Sequence, residues 1–369
     1  MNKISTYTWR IILLPFSLVY GIVIAFRNIL FDAGILSSTE FNLPVISVGN
    51  ISTGGTGKTP HVEYLVELLK DNYKVATLSR GYKRKTRHFI LAGTDSTVKE
   101  IGDEPVQIKQ KYPEVQVAVD RKRVHGIQQL MEKVRDLDVI LLDDAYQHRY
   151  VNPGLSILLI DFNRPITEDK LLPAGRLREQ AYERRRANII LITKCPERLK
   201  PIERRLIVKT LKLYPFQHLF FTKLRYKEPV PVFMEENQPL NLKEIKASKP
   251  CILMVTGIVS PRLYKKHLRS ISTRITEMTF CDHHIYTDKD ILRIIQVFEE
   301  LQGTDKLIFT TEKDAMKLRS FTTFPEPIKK RMFYVPVGIE FLNEETRNFN
   351  TQIQNYVRSN KRNSILHKQ

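Results

Sequence analysis

The chain has 369 residues, 42% of them hydrophobic, with 15 Gly and 19 Pro, so it is long enough for two packed domains and is neither disordered nor fibrous. Its 59 Lys and Arg residues outnumber 40 Asp and Glu, and this net charge of +19 predicts an anionic partner. Three cysteines, Cys195, Cys251 and Cys281, have neither metal-site nor disulfide spacing, so we expect the reduced thiols of a cytosolic protein.

An apolar run of 16 residues, 11–26, lies near the N-terminus between Arg10 and Arg27. As a helix it would reach only about 24 Å, less than the roughly 30 Å of a bilayer core, and Pro15 falls in its first turn. These features favour a helix that lies in a membrane surface. A buried core helix, a signal peptide and a true membrane span are the alternatives, although no small-residue cleavage site follows the run. We predict a membrane-associating segment over residues 1–27.

Short runs rich in Val and Ile alternate with amphipathic stretches along most of the chain. This alternation predicts an α/β fold in which βαβ units build a mainly parallel sheet with helices on both faces. The first set of expected strands comprises residues 45–48, 74–78, 115–119, 139–142, 156–160, 189–192 and 218–221.

The first expected strand runs into a glycine-rich loop, residues 49–60, and an amphipathic helix follows. This order is typical of a phosphate-binding loop (P-loop), because glycines let backbone N–H groups turn towards phosphate oxygens. Lys58 can then reach the β and γ phosphates, and Thr59 can hold Mg²⁺. Ser52 replaces the first glycine of the usual pattern, so the loop is a variant. The predicted nucleotide contacts are Ser52, Thr53, Gly54, Gly55, Thr56, Gly57, Lys58 and Thr59.

The expected strand 139–142 ends in Asp143 and Asp144. A carboxylate at the carboxyl end of a strand beside a phosphate loop is a typical ligand of Mg²⁺. Asp144, together with Thr59, is the candidate metal ligand, and the other aspartate would orient water, a lysine or the first carboxylate. The sequence leaves open which aspartate has which role.

Proline and charged residues interrupt the alternation over residues 224–247, which predicts a linker between two domains. The P-loop domain then covers residues 28–223, and a smaller α/β domain covers 248–369. Whether the final helix of the chain returns to the first domain stays open. The strands expected in the second domain are residues 251–256, 274–280, 306–310 and 333–337.

Seven motifs follow one another over most of the chain: VGNISTGGTGKTP (48–60), SRGYKRK (79–85), GDEP (102–105), LDDAYQHR (142–149), LLPAGRLRE (171–179), DHH (282–284) and TEKDAMKL (311–318). Together they resemble the tetraacyldisaccharide 4′-kinases, the lipid A kinases of Gram-negative bacteria. This set is far more specific than a phosphate loop alone.

The resemblance implies that ATP and Mg²⁺ serve a transfer of the γ-phosphoryl group to a lipid A disaccharide precursor. The acceptor would be the 4′-hydroxyl of a tetraacylated glucosamine disaccharide 1-phosphate, and the product would be lipid IVA. We therefore expect a monomer on the cytoplasmic face of the inner membrane, in contact with an anionic membrane surface and not with nucleic acid.

In this family, a carboxylate of the GDEP motif and the histidine after the DHH aspartate are implicated in activating the acceptor. The resemblance therefore makes Asp103 and His283 catalytic candidates, beside Lys58, Asp143 and Asp144. If the first pair contacts one acceptor, the two domains must close over it. Spacing alone favours a helix cap as the role of Asp103, and only the resemblance favours catalysis; the choice between His283 and its neighbour His284 stays open.

Four polar residues are further candidates for substrate binding: three arginines, whose guanidinium groups can each bind two phosphate oxygens, and one glutamine that follows the paired aspartates. Exposure to solvent is the alternative explanation for each. The four residues are Arg121, Gln147, Arg176 and Arg178.

Two other classes of protein share some of these features. A P-loop NTPase that acts as a switch or assembly factor would have the loop, but it would not need the DHH or LLPAGRLRE motifs. A nucleic-acid-binding protein would explain the net charge, yet basic runs such as Arg204-Arg205 lack interleaved aromatic residues.

Overall fold

The computed structural model describes residues 3–82, 84–233 and 240–366. Lys83 of the SRGYKRK motif and residues 234–239 of the predicted linker lie outside the described residues. So do residues 1–2 of the predicted N-terminal segment and residues 367–369 of the predicted second domain.

The first element is a helix, α1 (Lys3–Asp32), which is longer than the apolar run and contains Pro15. Over Arg10–Asp32 it is long and apolar enough to cross a membrane, judged by length and composition only. One stripe, which includes Ser17 and Asn28, is buried against the first domain. The other side of α1 does not fit the alternative of a buried core helix, because its large apolar residues are exposed. They are Ile11, Ile12, Leu14, Phe16, Leu18, Val19, Ile22, Val23, Phe26 and Ile29.

Eight strands of the first sheet follow α1; seven lie close to the positions that the alternation predicted, and the two-residue β3 was not predicted. All but the short β3 run parallel to their neighbours among these eight. They are β1 (Val45–Gly49), β2 (Val75–Ser79), β3 (Ile90–Leu91), β4 (Gln116–Val119), β5 (Val139–Asp143), β6 (Leu155–Asp161), β7 (Ile189–Thr193) and β8 (His218–Tyr226).

Helices cover both faces of this sheet, because the central strands are apolar on both sides. Val62 and Val106 pack on one face, whereas Ile127 and Leu211 pack on the other. The helices are α2 (Lys58–Leu69), α3 (Val98–Ile101), α4 (Asp103–Lys111), α5 (Arg123–Lys133), a 3₁₀ helix (Ala181–Arg186) and α6 (Pro201–Leu211).

A second, smaller sheet carries its own core, with strand order β11-β10-β12-β13-β9 among the described residues. Its strands are β9 (Val230–Pro231), β10 (Cys251–Thr256), β11 (Ile275–Thr279), β12 (Lys306–Thr311) and β13 (Met332–Val335). Its helices are α7 (Leu242–Ser248), α8 (Arg262–Arg269), α9 (Asp288–Glu300), α10 (Glu312–Leu318) and α11 (Glu326–Lys329).

The chain then returns to the first domain, which differs from the predicted limit of 248–369. Pro336 ends β13, and β14 (Val337–Phe341) pairs antiparallel with β8. The final helix, α12 (Thr346–Leu366), buries Phe349 and Ile353 in the core of the first domain. Pattern alone did not show this return, because the apolar face of a helix does not specify which sheet it covers.

The predicted linker 224–247 is partly built of strands. β8 continues to Tyr226, and β9 pairs with β13 in the second sheet. Lys227 N–H donates to the Pro336 carbonyl at 2.9 Å, so the outgoing and returning segments are hydrogen-bonded where the chain passes between the sheets. The chain therefore passes between the domains at two adjacent places, from β8 to β9 and from β13 to β14.

We predict that Phe349→Ala lowers the free energy of unfolding of the first domain by about 3 kcal/mol, because it removes a fully buried ring from that core. Urea unfolding followed by circular dichroism measures the change. Gln354→Ala, an exposed position on the same helix, is the matched control and should cost less than about 0.5 kcal/mol. Equal losses in the two variants would contradict the placement of α12.

Candidate active site

The glycine-rich loop lies at the carboxyl edge of the first sheet, where functional residues of parallel sheets gather. It joins β1 to α2, and the pairing of β1 with β5 sets Val48 opposite Asp143. The loop and the two strand-end aspartates are therefore neighbours. Gly54 and Gly57 have positive φ angles of 105° and 89°, which other residues seldom adopt.

Side chains from outside the loop hold three successive loop carbonyls. Lys194 Nζ donates to the Gly55 carbonyl and also pairs with Asp161. The buried hydroxyl of Thr193 donates to the Thr56 carbonyl at 2.8 Å. His61 Nδ1 lies 2.7 Å from the Gly57 carbonyl. Because the C=O and N–H of one peptide unit point in opposite directions, these bonds turn the N–H groups of Thr56, Gly57 and Lys58 towards the other side of the loop.

His61 has a defined protonation state. Burial lowers its pKa to about 4, so the ring is neutral near pH 7. The Gly57 carbonyl can only accept, so Nδ1 carries the proton, and Nε2 accepts from the Thr222 hydroxyl at 3.0 Å. His61 therefore ties the start of α2 to β8.

The first half of the loop pairs with the LLPAGRLRE segment. Thr53 N–H donates to the Arg176 carbonyl and Arg178 N–H donates to the Ile51 carbonyl, each at 2.7 Å. Ser52 forms a bridge with Leu177 between these two bonds. The backbone N–H of Thr53 thus already donates to a protein carbonyl, whereas Thr53 was predicted to contact the nucleotide. Arg176 acts here through its backbone, and its side chain is exposed.

Asp143 and Asp144 lie in different electrostatic surroundings. Burial and the nearby charge of Glu104 raise the pKa of Asp143 to about 7, and its Oδ1 receives no hydrogen bond from the described residues. Burial also raises the pKa of Asp144, but the charges of Lys58 and Arg178 outweigh it and hold that pKa below its ordinary value. Lys58 Nζ lies 3.5 Å from Asp144, and Arg178 contacts both of its oxygens at 3.2 Å.

Asp103 and His283 meet across the two domains. His283 Nδ1 lies 2.9 Å from Asp103 Oδ2, and the carboxyl group is only 4% exposed. Lys313 and Lys317 lie 3.5 Å and 3.3 Å from the same oxygen. Burial raises the pKa of Asp103, but His283 and the two lysines hold it well below its ordinary value. The other oxygen accepts the Glu104 N–H at 3.0 Å, but Asp103 is the first residue of α4 and the preceding glycine occupies the N-cap, so Asp103 does not have the alternative role of a helix cap.

The hydrogen bonds also define the tautomer of His283. Its Nε2 lies 3.0 Å from Lys313 Nζ, which can only donate. Nε2 is therefore an acceptor, and Nδ1–H donates to Asp103. His284 points elsewhere, with Nε2 at 3.1 Å from Asp290, so of the two adjacent histidines only His283 faces the first domain.

Glu104 connects the two groups of site residues. Its carboxylate lies 3.3 Å from Lys313 Nζ and is the neighbouring charge that most strongly raises the pKa of Asp143. Asp144 and His283 also share a left-handed backbone, with φ of 49° and 55°. Such strain in non-glycine residues clusters at functional sites.

Of the remaining candidates, Gln147 lies inside the site, whereas no hydrogen bond or ion pair among the described residues joins Arg121 to it. Gln147 Nε2 donates to the Asn50 carbonyl at 2.7 Å, and its Oε1 is 3.5 Å from Arg178. Arg121 follows β4 and is exposed. Six residues contact the site although the sequence alone did not mark them: His61, Glu104, Thr193, Lys194, Lys313 and Lys317. Lys313 and Lys317 are four residues apart in the TEKDAMKL motif, and this helical spacing could have marked them.

A family model described as tetraacyldisaccharide-1-P 4′-kinase matches residues 9–358. The chain belongs to this family. It is 48% identical over 367 residues to the tetraacyldisaccharide 4′-kinase of Bacteroides thetaiotaomicron, which is 98% of this chain and 96% of that relative. The Phocaeicola vulgatus protein of the same name is 47% identical over 365 residues and is covered to 98%, as is this chain.

The fold is similar to the crystal structure of LpxK from Aquifex aeolicus in complex with ATP. The TM-score is 0.72 at 29% identity, and the match covers 95% of this chain and 99% of that one. The predicted fold class and the resemblance drawn from the seven motifs are thus confirmed.

We predict that His61→Gln raises the dissociation constant of ATP about tenfold, because the Gly57 carbonyl loses its donor and the neighbouring N–H groups lose their fixed direction. His61→Asn should restore most of the affinity, since the asparagine amide lies near the position of Nδ1, whereas the glutamine amide lies near that of Nε2. Equilibrium ATP binding measures both variants. Equal affinities of the two amides would show that His61 only fills space.

Proposed function

We propose that this protein phosphorylates the 4′-hydroxyl of a tetraacylated glucosamine disaccharide 1-phosphate with ATP as donor. The observation that carries this proposal is the contact between Asp103 and His283 at 2.9 Å, made by two domains beside a phosphate loop. An acid–base pair placed across a cleft suits the activation of an alcohol by closure around two substrates. Membership of the family supplies the identity of the acceptor.

The phosphate loop supplies the donor site. The N–H groups of Thr56, Gly57 and Lys58 face away from the three held carbonyls and would surround the phosphates of ATP. Lys58, now paired with Asp144, would reach the β and γ phosphates. Gly54 and Gly55 allow the close approach of the backbone, and Arg178 adds positive charge beside Asp144.

The residues at the strand end fit a magnesium ion. Asp143 has a buried oxygen without a hydrogen bond from the described residues, and Asp144 and the half-buried Thr59 lie on the adjoining segments. These oxygen donors are of the kind that Mg²⁺ prefers, and they would hold it together with phosphate oxygens. A bound ion would neutralise charge that develops on the transferred phosphoryl group.

His283 and Asp103 would activate the acceptor. Asp103 holds Nδ1–H, which leaves the lone pair of Nε2 available as the base. The ammonium group of Lys313 now occupies Nε2, so the acceptor hydroxyl would take its place. Lys313 would remain charged, because Glu104 and Asp103 raise its pKa against the effect of its own burial. It could then bind an anionic group of either substrate.

The N-terminal helix would hold the enzyme at the membrane that contains its lipid substrate. The apolar side chains that α1 exposes, with Arg27 at their border, suit burial in the lipid interface. We propose that the enzyme acts as a monomer on the cytoplasmic face, where ATP is present. The buried stripe of α1 is hydrogen-bonded to the LLPAGRLRE segment through Ser17 and Tyr20, so the anchor adjoins the site.

Incubation with γ-labelled ATP and a disaccharide 1-phosphate lipid in detergent micelles tests the activity directly. We expect label on the lipid, and we expect Lys58→Ala and Asp144→Ala to lower the rate by at least about a thousandfold with native circular dichroism. Release of labelled phosphate without labelled lipid would instead identify an NTPase of another class.

A double-variant comparison tests the proposed pair. Asp103→Ala and His283→Ala should each lower kcat about a hundredfold or more with little change in ATP affinity, and the double variant should be little worse than the poorer single one, because both residues serve one step. The acid limb of the kcat profile should vanish in His283→Ala, since the pair can no longer take up the proton that inactivates it. Fully multiplicative losses would show independent roles.

A further inference from the structure

The helix α6 and the turn after it form an unusual surface of exposed apolar residues. Ile202, Leu206 and Val208 on α6 are 58%, 55% and 42% exposed, and Phe216 in the following turn is 54% exposed. On the opposite side, Leu211 is the one buried residue of α6, and the half-buried Ile207 packs against the same core of the first domain. The exposed residues are therefore not the edge of that core.

Basic residues surround these apolar side chains. Residues 198–212 contain six basic residues, Arg198, Lys200, Arg204, Arg205, Lys209 and Lys212, and one acidic residue, Glu203. Among the described residues, no carboxylate pairs with Arg205 or Lys209, which share the exposed face with Ile202 and Leu206. Cores of protein interfaces are depleted in lysine, whereas basic and apolar residues on one helix face are typical of binding to an anionic lipid surface.

This surface adjoins α1 on the same side of the first sheet. The 3₁₀ helix Ala181–Arg186 lies between them, with Arg185 paired to Asp32 of α1 and Arg184 Nε donating to the Leu211 carbonyl of α6 at 2.5 Å. Leu171 and Ala181 pack on the same cluster as Leu211 and also line the apolar groove along α1. Both helices thus adjoin the same apolar cluster on one face of the first sheet.

We propose that α6, with Phe216, is a second membrane contact that binds the anionic phospholipid surface beside α1. The proposal rests on the membrane association of α1 inferred above. One helix alone leaves the molecule free to rotate about its anchor, whereas two contacts on one side set the height and orientation of the catalytic cleft above the bilayer. The apolar side chains would enter the interface, and Arg205 and Lys209 would meet lipid phosphates.

Flotation of the full-length protein with vesicles tests this surface. Ile202→Asp with Leu206→Asp should weaken partitioning into phosphatidylglycerol vesicles by about tenfold for each apolar side chain that is removed. Arg205→Gln with Lys209→Gln should weaken it by about fivefold per residue on these vesicles, and should have no effect on phosphatidylcholine vesicles.

The second domain supplies matched controls. Leu292 on α9 is 58% exposed, as Ile202 is, and the exposed Arg293 follows it. Leu292→Asp and Arg293→Gln should leave partitioning unchanged. All variants should phosphorylate micellar acceptor at the rate of the parent, because α6 lies outside the proposed catalytic residues.

Four results would overturn the proposal. Parent-like vesicle binding of the α6 variants would do so while leaving the role of α1 intact, and equal losses in the α9 controls would show a general effect of charge and polarity. Light scattering that shows a dimer in the parent and a monomer in the α6 variants, with vesicle binding unchanged, would assign the surface to a second copy of the chain. A parent protein that binds no vesicles would overturn both the proposed membrane association of α1 and this inference. Phosphorylation of the micellar acceptor tests the proposed activity independently of vesicle binding.

Discussion

The site depends on the compensation of one buried charge. Asp103 lies at the start of α4 in the first domain, almost without solvent, and a carboxylate in such a place is costly unless cations surround it. Its cationic and imidazole partners, Lys313, Lys317 and His283, all come from the second domain. The proposed catalytic carboxylate is thus also one of the charges that join the two domains, and separation of the domains would expose Asp103 to water.

Further polar contacts strengthen the same junction and extend it to the phosphate loop. Lys111 of α4 pairs with Glu63 of α2 and with Glu312 of α10. Since α2 begins at Lys58, this network connects the loop helix, the helix of Asp103 and the second domain. Burial and the charge of Glu312 raise the pKa of Glu63 to about 7, so Lys111 neutralises a pair of carboxylates that repel each other.

The phosphate loop is held by protein groups from several directions. Thr193, Lys194 and His61 hold carbonyls of its second half, and the LLPAGRLRE segment pairs with its first half. That segment in turn contacts α1 through Ser17 and Tyr20. A loop fixed in this way needs little reorganisation on binding, which is the basis of electrostatic preorganisation. It also connects the proposed membrane anchor to the nucleotide site through a short series of hydrogen bonds.

The sequence by itself determined the features that depend on neighbouring residues. Most strands of both sheets, the loop around Lys58 and the strand-end aspartates follow from hydrophobic period and from the backbone freedom of glycine, which are local properties, whereas β3, β9 and β14 were not predicted. Only the tertiary structure decided that β14 and α12 return to the first domain, that His283 and not His284 faces Asp103, and that His61 holds a loop carbonyl. Each of these contacts joins residues that are far apart in the sequence, or depends on the backbone angles of one residue. Contacts of both kinds leave no periodic pattern in the sequence.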